Sequence, residues 1–98
     1  MPEGLLNDIK KYLGITWQDA DTDNNLTGII NRGMKRLQKI AGASLDFTIE
    51  DLPRQLLFDY CRYANNYDLE LFEINFQSEL VSLHFDCQVA AMESDTSE

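Results

Sequence analysis

A chain of 98 residues is the size of one domain, and its 44% hydrophobic and 26% charged residues argue against a disordered polymer. The net charge is −9, and it is unevenly spread: no lysine or arginine follows Arg62, whereas eight acidic residues lie between Tyr63 and Glu98. That balance argues against direct binding to nucleic acid or an anionic membrane, because phosphate contacts need cations, and it favours a basic partner surface.

The first predicted element is a short amphipathic helix over residues 4–13. Leu5, Leu6, Ile9 and Leu13 share a face, and Gly14 suits a left-handed stop. The second is the most regular. Leu26, Ile29, Ile30, Gly33, Met34, Leu37, Ile40 and Ala41 follow helical spacing for four turns, and Gly42 ends them. Gly33 lies on the apolar stripe, which points to the close approach of another helix. Gly28 lies off it, without an evident reason. A third helix starts near Leu52, capped by Thr48 or Asp51, with Pro53 in its first turn. Its stripe is Leu56, Leu57, Tyr60, Cys61 and Ala64. Phe58 and Tyr63 lie off that stripe and Tyr67 follows it. These aromatics mean either a central helix wrapped by others or a subunit interface.

A fourth helix is predicted over 68–81, from Leu69, Phe72, Phe76, Leu80 and Leu83 sharing one face, with Ile74 off it. The period then changes. Leu83, Phe85, Cys87 and Val89 alternate with polar residues, a strand signature over 83–89. A lone strand has no partner within this chain, so the segment is either an arm that pairs with another chain or a fraying helix end that packs irregularly. Residues 92–98 read as a disordered acidic tail. The expected fold is thus all-α: one domain over 1–98, about four helices, and an extended C-terminal arm.

The run "DADTD" raises a metal question. An ion-binding loop starting at Asp19 needs glycine at its sixth position and a carboxylate at its twelfth. Here those positions hold Asn24 and Ile30. Capping fits better: Asp21, Thr22 and Asp23 are all good N-cap residues, and carboxylates before a helix suit its positive end. Thr16 with Asp19 resembles a weaker capping box, so residues 17–20 are expected to make a separate turn, with Trp17 closing over the core. His84 is the single histidine and is expected to face solvent. Cys61 and Cys87 form no C-x-x-C pair and are expected to stay reduced. No catalytic residue, cofactor or metal site is expected. "MPEGLLNDIKKYL" has no basic leader followed by an apolar run, and no apolar run approaches the ~20 residues of a membrane span, so a cytoplasmic location is expected.

Three blocks, "IKKYLGITWQDADTD" (9–23), "IINRGMKRLQKIAG" (29–42) and "LLFDYCRYANNYDLELFEINFQSELVSL" (56–83), resemble the small head–tail connector, or adaptor, proteins of tailed bacteriophages and prophages. The resemblance rests on the order and spacing of the blocks. It implies a helical structural subunit that self-associates into a ring, dodecameric when assembled and allowed to be monomeric alone, docks on the portal protein and meets a downstream head-completion or tail component. DNA would pass through the channel without specific binding. The implied location is the virion, and the host cytoplasm before assembly. The contact residues expected on this reading are Phe58, Tyr63, Tyr67, Leu83, Phe85 and Val89. The rival expectation is a small acidic regulatory protein, an inhibitor or DNA mimic, acting on a basic partner.

Overall fold

The computed structural model describes residues 1–96 and, among these, contains helices and no strand. The helices are α1 (Leu5–Leu13), α2 (Ala20–Ala41), α3 (Leu52–Asn65), α4 (Leu69–Asn75) and α5 (Gln77–Thr96).

Each boundary has a local cause. α1 stops at Gly14, whose φ of 76° lets the Gly14 and Ile15 N–H groups turn back to the carbonyls of Lys11 and Lys10, at 3.1 and 2.8 Å. α2 begins earlier than the sequence suggests. Asp19 is the N-cap, and its carboxylate accepts from the Thr22 N–H (3.2 Å) and hydroxyl (2.8 Å). Asp21 and Asp23 sit inside the first turn, where negative charge favours the helix dipole. Residues 17–20 therefore make no separate turn, and Trp17 is 55% exposed rather than closing the core. Of the two candidate caps for α3, Asp51 serves: its carboxylate accepts from the Leu52 N–H at 2.8 Å.

α3 ends without glycine. Tyr67 takes the left-handed position (φ 60°), which lets Asp68 N–H reach the Tyr63 carbonyl at 2.9 Å and Tyr67 N–H reach Ala64 at 3.2 Å. A side chain in this conformation costs about 1–2 kcal/mol relative to the right-handed region. This turn separates α3 from α4. The predicted fourth helix is itself divided at Phe76, which accounts for five helices in place of about four.

α2 and α3 together form the centre of the bundle, and α3 packs against each of the other four helices. α3 runs antiparallel to α2: Gly33 faces Leu57 and Tyr60, where a methyl on Gly33 would lie 2.7 Å from Tyr60 Cδ1 and 2.9 Å from Leu57 Cδ1. This is the close helix approach that the position of Gly33 implies. α1 crosses the start of α2, and the buried Lys10 Nζ lies 2.7 Å from Asp23 Oδ1. α4 is held to α3 by aromatic packing. Phe72 meets Tyr60 and Tyr63 edge-on, with centroids 5.5 and 5.9 Å apart, and stacks on Phe76 at 5.1 Å. The Arg36–Glu73 pair ties α4 to α2, and α5 then runs alongside α2 in the same direction, with His84 beside Ile40 and Gln88 beside Gly42. The radius of gyration is 14.6 Å with extents of 50 × 29 × 18 Å, longer than the ~13 Å of a compact 100-residue domain.

The expected strand over 83–89 is corrected: these residues belong to α5, which continues to Thr96 across most of the segment read as a disordered tail. Ser97 and Glu98 lie outside the described residues. Two physical reasons favour helix. No glycine or proline interrupts residues 69–96, and a helix pairs its backbone groups locally where a lone strand leaves them unpaired. The alternation has a different origin. Leu80, Leu83 and Cys87 form one helical stripe, packed on the core. Val81, Phe85 and Val89 form another on the opposite face. Two opposed helical stripes read residue by residue look like a strand.

Candidate functional site

The six residues expected at contacts separate into two groups. Phe58, Tyr63 and Leu83 are engaged within the chain. Tyr12 packs edge-on to Phe58 at 5.4 Å, and the Arg54 guanidinium lies 4.7 Å above the Phe58 ring. Tyr63 meets Phe72 and Phe76 edge-on, and its hydroxyl accepts from Asn75 Nδ2 at 3.0 Å. Leu83 is a core residue. α3 is thus a central helix whose extra aromatics are partly covered by α1 and α4. Tyr67, Phe85 and Val89 are exposed, at 90%, 64% and 49%.

The structure adds neighbours that the sequence reading passed over. Val81, half exposed, completes an i, i+4, i+8 stripe with Phe85 and Val89. Ile74 on α4, 68% exposed, lies with Val81, Leu80, His84 and Ile40 around a shallow apolar groove that continues the stripe. The i+4 spacing from Val81 to Phe85 is the signal that could have revealed it. It was masked by reading the same residues with a period of two.

Charge divides the surface around this stripe. On the α5 side, Glu79 and Asp86 are exposed, and there are no cations after Arg62. On α2, Arg32, Lys35 and Lys39 are exposed at i, i+3 and i+7, on the face opposite the core stripe. Among the described residues none of these five groups belongs to an ion pair, whereas Lys10, Arg36, Arg54 and Arg62 are each paired with carboxylates. Beside the basic face lies a second groove, floored by Met34 and Leu45 over the buried Phe47, with Pro2 at its edge. Asp46 also borders it, turned toward the Thr48 hydroxyl and N–H.

The three aspartates of "DADTD" do separate work. Asp19 caps, Asp23 neutralises buried Lys10, and Asp21 faces solvent. The hydrogen bonds from Thr22 hold the Asp19 carboxyl below its ordinary range. Among the described residues no three of histidine, cysteine, aspartate and glutamate are grouped so as to hold a metal ion. His84 is exposed as expected but not idle: its Nδ1 lies 3.0 Å from the Ile40 carbonyl, so an Nδ1–H donor ties α5 to the end of α2. Asp59, buried at the α1–α3 contact, accepts from the Tyr12 hydroxyl at 2.6 Å, with Arg62 Nε at 3.5 Å. The bond to Asp59 raises the Tyr12 pKa. Burial alone pushes the Cys61 thiol up to about 12, far from the range of a reactive cysteine. Among the described residues no helix is long and apolar enough to cross a membrane.

The chain matches no protein-family model, no curated protein and no solved structure. What it presents is therefore read from its own surface: a helix with one face in the core and an apolar face outside it, between an acidic and a basic field.

Proposed function

We propose that this chain is a structural subunit of a phage or prophage head–tail connector, a ring that docks on the portal and joins the DNA-filled head to the tail. The observation that carries the reading is the outer face of α5. Val81, Phe85 and Val89 form an ordered apolar stripe on a helix whose other face already completes the core. Apolar surface of this kind marks a protein interface. An assembling subunit with two different neighbours needs more than one such patch, and this chain has the α5 stripe and the groove beside α2. The resemblance carried by the order of the three sequence blocks supports the connector reading, and the carboxylate-rich α4–α5 surface suits a channel past which DNA slides without adhering.

The test is omission. Phage assembled without this protein should accumulate DNA-filled heads that lack tails, and supplying the protein in trans should restore joining. Normal head–tail joining in its absence would end this reading. A Phe85→Ser chain is a sharper probe than deleting residues 83–98, because that deletion also removes core Leu83. The rival reading, an acidic inhibitor of a basic protein, is favoured by the absence of cations after Arg62. It predicts a stable 1:1 complex with such a protein and no self-assembly.

A further inference from the structure

We infer that the α5 stripe of one copy docks head to tail on the α2 groove of the next copy. The inference rests on the reading of the chain as an assembling subunit, and it names the two faces that meet.

The two surfaces match in length, polarity and charge. Val81 to Val89 spans about 12 Å of helix, and Arg32 to Lys39 spans about 10 Å. Glu79 and Asp86 are seven residues apart, two turns along one flank of the stripe. Arg32 and Lys39 have the same separation on α2, with Lys35 between them. Placed against the groove, the stripe would cover Met34 and Leu45 while its acidic flank met Arg32 and Lys35 on the rim, with Lys39 one turn beyond Lys35 on α2 outside the groove. All five of these charged side chains are exposed and lack an ion-pair partner among the described residues.

Pairing α5 with α5 of another copy is disfavoured. It would bring Glu79 and Asp86 of both copies together on a segment without any cation. The favoured contact uses two different patches, so it is heterologous, and repetition gives a ring or an open filament rather than a closed dimer.

Sedimentation velocity on the full chain tests this at physiological ionic strength, where a Debye length of about 8 Å screens the net repulsion of two acidic copies. The wild-type chain should form oligomers that grow with concentration. Glu79→Lys with Asp86→Lys should weaken association about tenfold or more, as should Lys35→Glu with Lys39→Glu. Mixing these two reversed chains should restore it, because each reversed face then meets its complement on the other chain. Phe85→Ser and Val89→Ser supply uncharged variants if charge reversal impairs folding, which circular dichroism checks. A wild-type chain that stays monomeric up to its solubility limit overturns the inference. So do variants that associate like wild type, or a mixture that fails to recover. Portal binding separates this inference from the proposed function. Self-association through these faces without portal binding removes the connector reading alone. Portal-dependent assembly that these variants leave intact removes the docking contact alone.

Discussion

α2 and α5 are of similar length, 22 and 20 residues, but they distribute their apolar residues in opposite ways. α2 gathers Leu26, Ile29, Ile30, Gly33, Leu37 and Ala41 on one buried face and turns Arg32, Lys35 and Lys39 to solvent. α5 divides its apolar residues between the core-facing Leu80 and Leu83 and the outward Val81, Phe85 and Val89. A helix with a single apolar face is satisfied by its own chain. A helix with two opposed apolar faces leaves one of them uncovered by its own chain, and that difference locates the candidate site.

The comparison predicts unequal costs for deletions of similar size. Leu37→Ala, at a site with no exposure, should lose about 2–5 kcal/mol through lost burial and a cavity. Phe85→Ala should leave monomer stability within about 0.5 kcal/mol, since its ring is mostly in water already. Urea unfolding of both variants checks the pair. A large loss at Phe85 would mean that its face is used within the chain.

The glycines of α2 sharpen the same contrast within one helix. Gly33→Ala should lose about 1–3 kcal/mol, because the added methyl collides with Tyr60 and Leu57. Gly28→Ala should gain about 1 kcal/mol of helix propensity, because its methyl meets only the mobile end of Arg32, at 3.3 Å. Thermal melting of the two variants should move in opposite directions.

A smaller gain is expected at the α3–α4 turn. Tyr67→Gly relieves the left-handed backbone and should stabilise the monomer by about 0.5–1 kcal/mol, part of the relief being offset by a more flexible unfolded chain. If the same change weakens assembly in the sedimentation experiment, Tyr67 belongs to a contact as well as to a turn.

The last prediction separates the two thiols. Cys87, partly buried on α5, should react with a thiol reagent in the native state, and Cys61 only after denaturation. Cys61, Tyr12 and Tyr60 all have raised pKa values: Cys61 and Tyr60 chiefly by burial, Tyr12 chiefly by its bond to Asp59. The folded state therefore holds these protons more tightly than the unfolded chain. Their contribution is complete below the ordinary thiol value of 9.0 and is lost as pH rises toward about 12. Urea midpoints measured across this alkaline window should fall. Constancy would show that these groups are no better protected than in the unfolded chain.

Much of the helical core was legible in advance because its signals are local. The Gly14 and Gly42 stops, the repeat along α2 that puts Gly33 on its apolar stripe and the first turn of α3 each depend on residues within a turn or so of one another. The misreadings arose where a local pattern has two solutions. Asp21, Thr22 and Asp23 each suited the cap of α2, but the helix starts earlier and takes Asp19, which leaves Asp23 one turn inside to meet Lys10 from α1. Residues 83–89 fit two periods: their alternation suits a strand, while Leu83 also lies on the helical face of Leu80, and the packing of Leu83 and Cys87 on the core selects the helix.

By itself the sequence determined a mainly helical chain with an acidic last third and one strongly amphipathic helix, α2, because spacing, caps and net charge are properties of neighbouring residues; that residues 83–89 are helical too it did not determine. Only the tertiary structure decided which apolar residues are spent. Phe58 and Tyr63 were candidates for contact with another molecule, but α1 and α4 lie against them. Phe85, Val81 and Val89 are as apolar as Leu83, but α5 has only one face toward α2 and α3. Burial depends on what other segments cover, so the outer face of α5 became a candidate site only once the bundle around it was complete.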